Sequence, residues 1–151
     1  MRREFSTQYI ACALAAIVLT AGATPRETAE GDDLKRMQGD WMVVSMTANG
    51  MKYPDEEAQA RFRTIEGSNY LITRYSKPLG KGTFKLDPSV MPKTIDSFPA
   101  EDPSKPILGI YEFEGDTLKI CNAPPGKPRP SDFEAKAGSG HTLTVWEPEK
   151  K

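Results

Sequence analysis

Three kinds of side chain in this sequence could carry out chemistry: one histidine, two cysteines and 21 carboxylates. His141, the single histidine, has a side chain that can act as a general base near neutral pH. It follows the glycine-rich segment 138–140, and no carboxylate stands at a spacing that would orient its ring. We therefore interpret His141 as a solvated loop residue.

The cysteines offer a second candidate nucleophile. Cys12 lies in an apolar N-terminal stretch, which leaves Cys121 near the end of a predicted strand. Lys119 shares a face of that strand with Cys121, and a nearby ammonium group can lower the pKa of a thiol. A lone strand cysteine is more often a small packing residue, and no histidine lies close to it in sequence. We predict a packing role for Cys121.

The remaining composition argues against several further functions. The carboxylates are scattered, and none of the usual phosphate-binding, calcium-binding, hydrolase or zinc-protease motifs is present. One histidine and two cysteines are too few for a typical His/Cys metal site. Twenty basic residues nearly balance the acidic ones, so no polycationic surface is expected for nucleic acid. We expect a protein that is not an enzyme and needs no metal or cofactor.

The N-terminus has the pattern of an export signal. Arg2 and Arg3 precede an apolar stretch over 10–19, which is shorter than the roughly 20 residues that a membrane-spanning helix needs. Residues 21–23 (Ala-Gly-Ala) fit the small-x-small cleavage pattern, so Thr24 is the expected new N-terminus. The alternative is that residues 1–23 are not cleaved and anchor the protein in the membrane. The two arginines also partly match the twin-arginine pattern, which leaves the export route open.

The sequence divides into four segments around one domain. We expect a signal peptide over 1–23, a disordered polar linker over 24–33, a folded domain over 34–147 and a polar tail over 148–151. Within the domain, β-branched and aromatic runs alternate with turn residues such as Asn49-Gly50 and Gly115-Asp116. The predicted strands cover 41–47, 63–66, 69–75, 81–86, 94–98, 107–113, 117–122 and 142–146. With one convincing helix over 54–62 and a helical turn near 33–38, this pattern indicates an antiparallel barrel or sandwich.

Several strings of residues resemble known families. Gly39-Asp40-Trp41 resembles the Gly-x-Trp signature of the lipocalin and calycin barrels. Longer strings resemble a small, exported, uncharacterised domain that occurs in many paralogues in planctomycete bacteria. These strings are 37–41, 80–88, 92–96, 108–112, 115–121, 123–126 and 129–130. The resemblance spans roughly residues 34–147 and implies an all-β, lipocalin-like antiparallel barrel of about eight strands, with Gly39 and Trp41 at one barrel end. It implies no established activity or ligand.

These expectations lead to two functional hypotheses. If the barrel opens into a cup, we expect Tyr70, Phe84 and Tyr111 on the strands, together with Arg129 in the proline-rich loop 123–131, to line a pocket for a small, mostly apolar ligand. The protein would then be an exported, monomeric binding protein, periplasmic or extracellular, without membrane contact after signal cleavage. The alternative is a barrel with a filled core that contacts another extracytoplasmic protein. A cavity of about 300 Å³ or more favours the ligand-binding hypothesis.

Overall fold

The computed structural model describes residue 22 and residues 25–150. The predicted signal peptide, apart from Gly22, therefore lies outside the described residues, as does Lys151 in the predicted tail. Within the described part of the chain, no helix combines the length and apolar character needed to cross a membrane.

Two helices and nine strands make up the described chain. The helices are α1 (Pro25–Met37) and α2 (Asp55–Gln59). The strands are β1 (Gly39–Ala48), β2 (Met51–Lys52), β3 (Arg61–Glu66), β4 (Asn69–Arg74), β5 (Lys77–Asp87), β6 (Lys93–Pro99), β7 (Ile107–Glu114), β8 (Thr117–Asn122) and β9 (Thr142–Pro148).

Eight of these strands form a closed antiparallel β-barrel. Each strand pairs with the next along the chain from β3 to β9, while β1 pairs with both β3 and β9 and so closes the sheet. Closure leaves none of these eight strands with an unpaired edge. The two-residue strand β2 only extends the hairpin that follows β1. The predicted all-β class and antiparallel barrel of about eight strands are confirmed.

The connections give the barrel two different ends. Tight turns at Gly67 and Gly115, both with positive φ, join β3 to β4 and β7 to β8 at one end. Glycine is required there because these φ values are strained for residues with a Cβ. Long segments over 49–60, 100–106 and 123–141 connect the strands at the other end. We call the first the closed end and the second the open end.

Helix α1 covers the closed end. Met37 is fully buried and accepts a hydrogen bond of 2.8 Å from the indole Nε1 of Trp41 through its backbone oxygen. Asp33, also buried, accepts a hydrogen bond of 2.8 Å from the hydroxyl of Tyr111 and pairs with Lys93 at 2.7 Å. These contacts join the helix to strands on opposite sides of the barrel.

The extent of α1 differs from the sequence prediction. A disordered linker was expected over 24–33, followed by a single helical turn, whereas one helix begins at Pro25 and continues to Met37. The first half of α1 has no apolar residues at helical spacing, so its sequence alone indicates a linker. The helix is stabilised at its C-terminal half by the buried contacts with the barrel, and these tertiary contacts are invisible to local propensity.

Candidate functional site

A cavity of about 320 Å³ lies inside the barrel at its open end. Its apolar wall includes the side chains of Val43, Met46, Ile72, Leu79, Ile107, Ile120 and Trp146. Its polar wall includes Arg61, Arg63, Asn122, Thr142 and Thr144. No aspartate or glutamate is among its lining residues in the described chain. The cavity is thus mostly apolar, with a concentration of positive charge.

A second cavity, of about 750 Å³, borders the first along the barrel rim. The two share Ile72, Leu79 and Ile107, so the interior space continues outward between the β4–β5 hairpin and the loop after β6. Leu71 and Leu79 on this rim are 37% and 59% exposed, which is high for leucine. An elongated apolar molecule could extend from the interior onto this rim.

The two arginines of the polar wall are placed by the alternation of β3. Arg61, Arg63 and Ile65 occupy every second position of the strand, and all three are buried. Because successive strand side chains point to opposite faces, these residues share the inward face. Strand β3 begins at the open end, so Arg63 lies one step deeper in the barrel than Arg61.

Arg63 is the more isolated of the two. Its side chain is 4% exposed, and its guanidinium carbon lies 5.1 Å from the ring centroid of Tyr70 and 5.6 Å from that of Phe84. No side-chain hydrogen bond or ion pair joins its guanidinium group to another described residue, and its Nε is buried without a partner. Burial lowers the pKa of Arg63 to about 10, so the guanidinium stays charged at neutral pH.

Arg61 is held differently. It donates a hydrogen bond to the backbone oxygen of Glu57 in α2, and its guanidinium carbon lies 5.0 Å from the ring centroid of Tyr53. The strand register places Arg74 of β4 directly opposite Arg61, on the same face of the sheet. Neither arginine forms an ion pair with a described acidic residue. Helix α2 therefore orients one cation at the mouth while leaving its charge uncompensated.

Two further cavity residues carry buried polar atoms without a partner. These atoms are the amide Oδ1 of Asn122 and the indole Nε1 of Trp146. Most buried polar atoms in proteins are hydrogen-bonded, so such atoms call for an explanation in each case. In this protein three of them, counting Arg63 Nε, belong to residues that line one cavity.

The structure does not bring together the four residues that we predicted to line a pocket. Tyr70 borders the rim cavity and contacts Arg63, but its neighbour Phe84 is packed in the hydrophobic core at 2% exposure. Tyr111 is fully buried near the closed end, where Asp33 accepts the hydrogen bond from its hydroxyl. Burial and the contact with Asp33 raise the pKa of Tyr111. Of the three aromatic residues, only Tyr70 reaches the space at the open end.

Arg129 also lies elsewhere than expected. It pairs with Asp96 at 2.6 Å and donates a hydrogen bond of 2.7 Å to the backbone oxygen of Gly109. Asp96 lies on the outward face of β6, because its neighbours Ile95 and Ser97 are the buried, inward residues. The proline-rich loop thus folds back against the outside of the barrel, and Arg129 holds it there.

The longer segment 123–141, which contains this loop, covers Cys121. The thiol is fully buried and donates a hydrogen bond of 3.8 Å to the backbone oxygen of Glu134. Burial, together with the charge of Asp132, raises the pKa of Cys121 to about 11. The thiol is therefore protonated at neutral pH, and Cys121 packs against the segment. His141 lies at the end of this segment, where its backbone oxygen accepts a hydrogen bond from Asn49.

Gly39 and Trp41 lie at the closed end of the barrel. Gly39 begins β1 with a φ of 99°, and Trp41, 4% exposed, packs with its ring centroid 6.5 Å from that of Phe113. Arg36 of α1 stacks over the outer side of Phe113 at 3.9 Å. Helix, tryptophan and phenylalanine together fill the barrel interior at this end.

Sequence reasoning missed the cavity residues themselves. The signal was present in Arg61-x-Arg63-x-Ile65, where the arginines are in phase with an isoleucine that must face the core. Asn122, Thr144 and Trp146 follow the same alternation on β8 and β9.

A scan against family models and a search of curated proteins found no match for this chain. Among the described residues, no group of three or more histidine, cysteine or acidic side chains could hold a metal ion. The fold defines the class of protein: a small, closed, eight-stranded antiparallel barrel that is compatible with a lipocalin-like architecture.

Proposed function

We propose that this protein is an exported, non-enzymatic barrel that binds a small, mostly apolar ligand in the cavity at its open end. The observation that supports this proposal is the interior cavity of about 320 Å³, which continues into the rim cavity of about 750 Å³. Ligand sites commonly have volumes of about 300–1,000 Å³, an apolar lining and a few convergent polar groups. Both the size and the lining described above agree with that pattern.

The proposal includes the wider expectations from the sequence. It places the protein in the periplasm or outside the cell, as a monomer without a cofactor and without nucleic-acid or membrane contacts. It also assigns the chain to the exported planctomycete domain family on the strings over residues 34–147. The competing hypothesis is an interaction module, whose partner would contact the rim around the exposed Leu71 and Leu79.

The two tryptophans permit a direct test of ligand binding. Trp146 lines the cavity, whereas Trp41 is sealed at the closed end. We expect the neutral apolar dye N-phenylnaphthylamine to bind saturably and to quench tryptophan fluorescence. Quenching is expected to persist in Trp41→Phe and to fall by more than half in Trp146→Phe. Absence of saturable dye binding would contradict the ligand-binding proposal and favour the interaction module.

Export is tested separately by the intact mass of the protein in the exported fraction of its host. We expect a mature chain that begins at Thr24. A chain that retains residues 1–23 in the membrane fraction would support the uncleaved anchor instead.

A further inference from the structure

The cavity contains more positive charge than its surroundings compensate. Arg63 is 4% exposed and Arg61 is 8% exposed, so both side chains are more than nine-tenths buried. Neither has a carboxylate partner among the described residues, and no acidic side chain lines this cavity. A buried charge without a counter-charge is unfavourable, because it has lost its hydration and gained no partner.

Arg74 increases this imbalance. It stands directly opposite Arg61 in the register between β3 and β4, and like charges in such cross-strand pairs repel each other. Its Nε is also buried without a hydrogen-bond partner. The aromatic rings of Tyr53, Tyr70 and Tyr75 lie within cation–π distance of the three guanidinium groups. Rings stabilise a cation partially, but they accept no conventional hydrogen bond from its N–H groups.

The unpaired hydrogen-bond donors of this cavity indicate that its ligand supplies a hydrogen-bond acceptor. Arg63 presents guanidinium N–H groups and Trp146 an indole N–H, and both residues line the same cavity. A guanidinium group offers parallel donors that match two oxygens of a carboxylate or a phosphate. Such an oxyanion would neutralise the charge and supply the absent hydrogen-bond acceptors at once.

The apolar residues indicate the rest of the ligand. Arg63 lies deeper in the barrel than Arg61, whereas Ile72, Leu79 and Ile107 lead from the interior to the rim. The rim cavity contains one lysine and one glutamate, Lys81 and Glu101, so the excess of positive charge is confined to the interior. A molecule that fits both parts has its acidic group inside and its apolar body toward the mouth.

We propose that the ligand is an amphiphile with an oxyanion head group, a carboxylate or a phosphate monoester, which binds head-first with its oxygens on Arg63. This inference rests on the proposed function, because it names the class of ligand for the same cavity. It also explains why a small barrel retains arginines on an inward face that would otherwise be apolar.

The test compares three ligands with the same ten-carbon chain: decanoate, decyl phosphate and the uncharged decanol. Each is titrated against the full chain carrying N-phenylnaphthylamine, and its affinity is measured by displacement of the dye. We expect at least one of the two acids to bind about tenfold or more tightly than decanol, in line with a charge-assisted hydrogen bond. The acid that binds more tightly identifies the head group.

Arg63→Met tests the position of the head group, since it removes the charge and keeps an apolar side chain of similar length. We expect the affinity for the preferred acid to fall about tenfold or more, while the affinity for decanol changes less than about threefold. Arg36→Met is the matched control, because it removes one arginine from the opposite end of the barrel. It should leave the binding of all three ligands unchanged.

The two proposals fail in different ways. If the dye does not bind saturably, the proposed function fails. If dye and decanol bind, but both acids bind no more tightly than decanol, the oxyanion inference is overturned while ligand binding stands. The comparison of ligands on the unmodified protein gives this answer even if Arg63→Met does not fold. Unchanged acid binding by a folded Arg63→Met protein would also overturn the inference.

Discussion

Replacing Trp41 by alanine is expected to lower the free energy of unfolding by about 3–5 kcal/mol, the range for removal of a packed tryptophan. The indole lies between α1 and the barrel, donates a buried hydrogen bond to Met37 and packs against Phe113. Its removal would create a void at the closed end and leave the Met37 oxygen without that donor. Urea unfolding monitored by far-ultraviolet circular dichroism measures the change.

Trp146→Ala provides a comparison at nearly equal burial. Trp146 is 5% exposed, but its ring borders a cavity and its indole Nε1 has no hydrogen-bond partner among the described residues. Its loss removes fewer packing contacts, so we expect a smaller decrease in stability than for Trp41→Ala. A loss below about 1 kcal/mol for Trp41→Ala would contradict the placement of this ring in the closed end.

The barrel could be predicted from the sequence because its signals are local. Short β-branched and aromatic runs mark the strands, glycines with positive φ mark the turns at Gly67 and Gly115, and the predicted bounds of β8 agree with the observed ones, Thr117–Asn122. The predicted strand over 81–86 leaves out the start of β5 at Lys77, since Pro78 and Gly80 resemble strand breakers. Gly82 lies within the predicted part and is required for a nonlocal reason: a Cβ would lie 2.2 Å from the backbone oxygen of Phe98 on β6. Contacts of this kind have no signature in a single sequence.

The site could be predicted only in part, because alternation reveals the face of a residue and not its depth in the barrel. Tyr70 and Tyr111 both face inward, yet the first borders the open end and the second packs near α1. Depth depends on how the strands are staggered against one another, which is a property of the assembled sheet. The position of Arg129 depends on Asp96, which is distant in sequence. Arg61 falls in the predicted helix over 54–62, whereas in the structure it begins β3; Arg63 is not among the predicted site residues because arginine is rarely buried without a partner.

We expect a second large effect on the free energy of unfolding when Asp33 of helix α1 is replaced. Its carboxylate accepts the hydrogen bond of the fully buried Tyr111 hydroxyl and pairs with the partly exposed Lys93. In Asp33→Ala the Tyr111 hydroxyl loses its hydrogen-bond acceptor, and the Lys93 ammonium group loses its counter-charge. We therefore expect the free energy of unfolding to fall by about 2–3 kcal/mol. Asp33→Asn keeps an oxygen that can accept from Tyr111 and should recover part of that loss.

Asp32→Ala is the matched control, because Asp32 is the neighbouring carboxylate on the same helix and its side chain is exposed. We expect this variant to stay within about 0.5 kcal/mol of the unmodified protein. Amide hydrogen exchange should also quicken along the C-terminal half of α1 in Asp33→Ala and remain unchanged in Asp32→Ala, since of these two aspartates only Asp33 contacts the barrel. Equal effects of the two substitutions would mean that α1 does not pack on the closed end, and the residues before Leu34 would then behave as the linker that their polar sequence suggests.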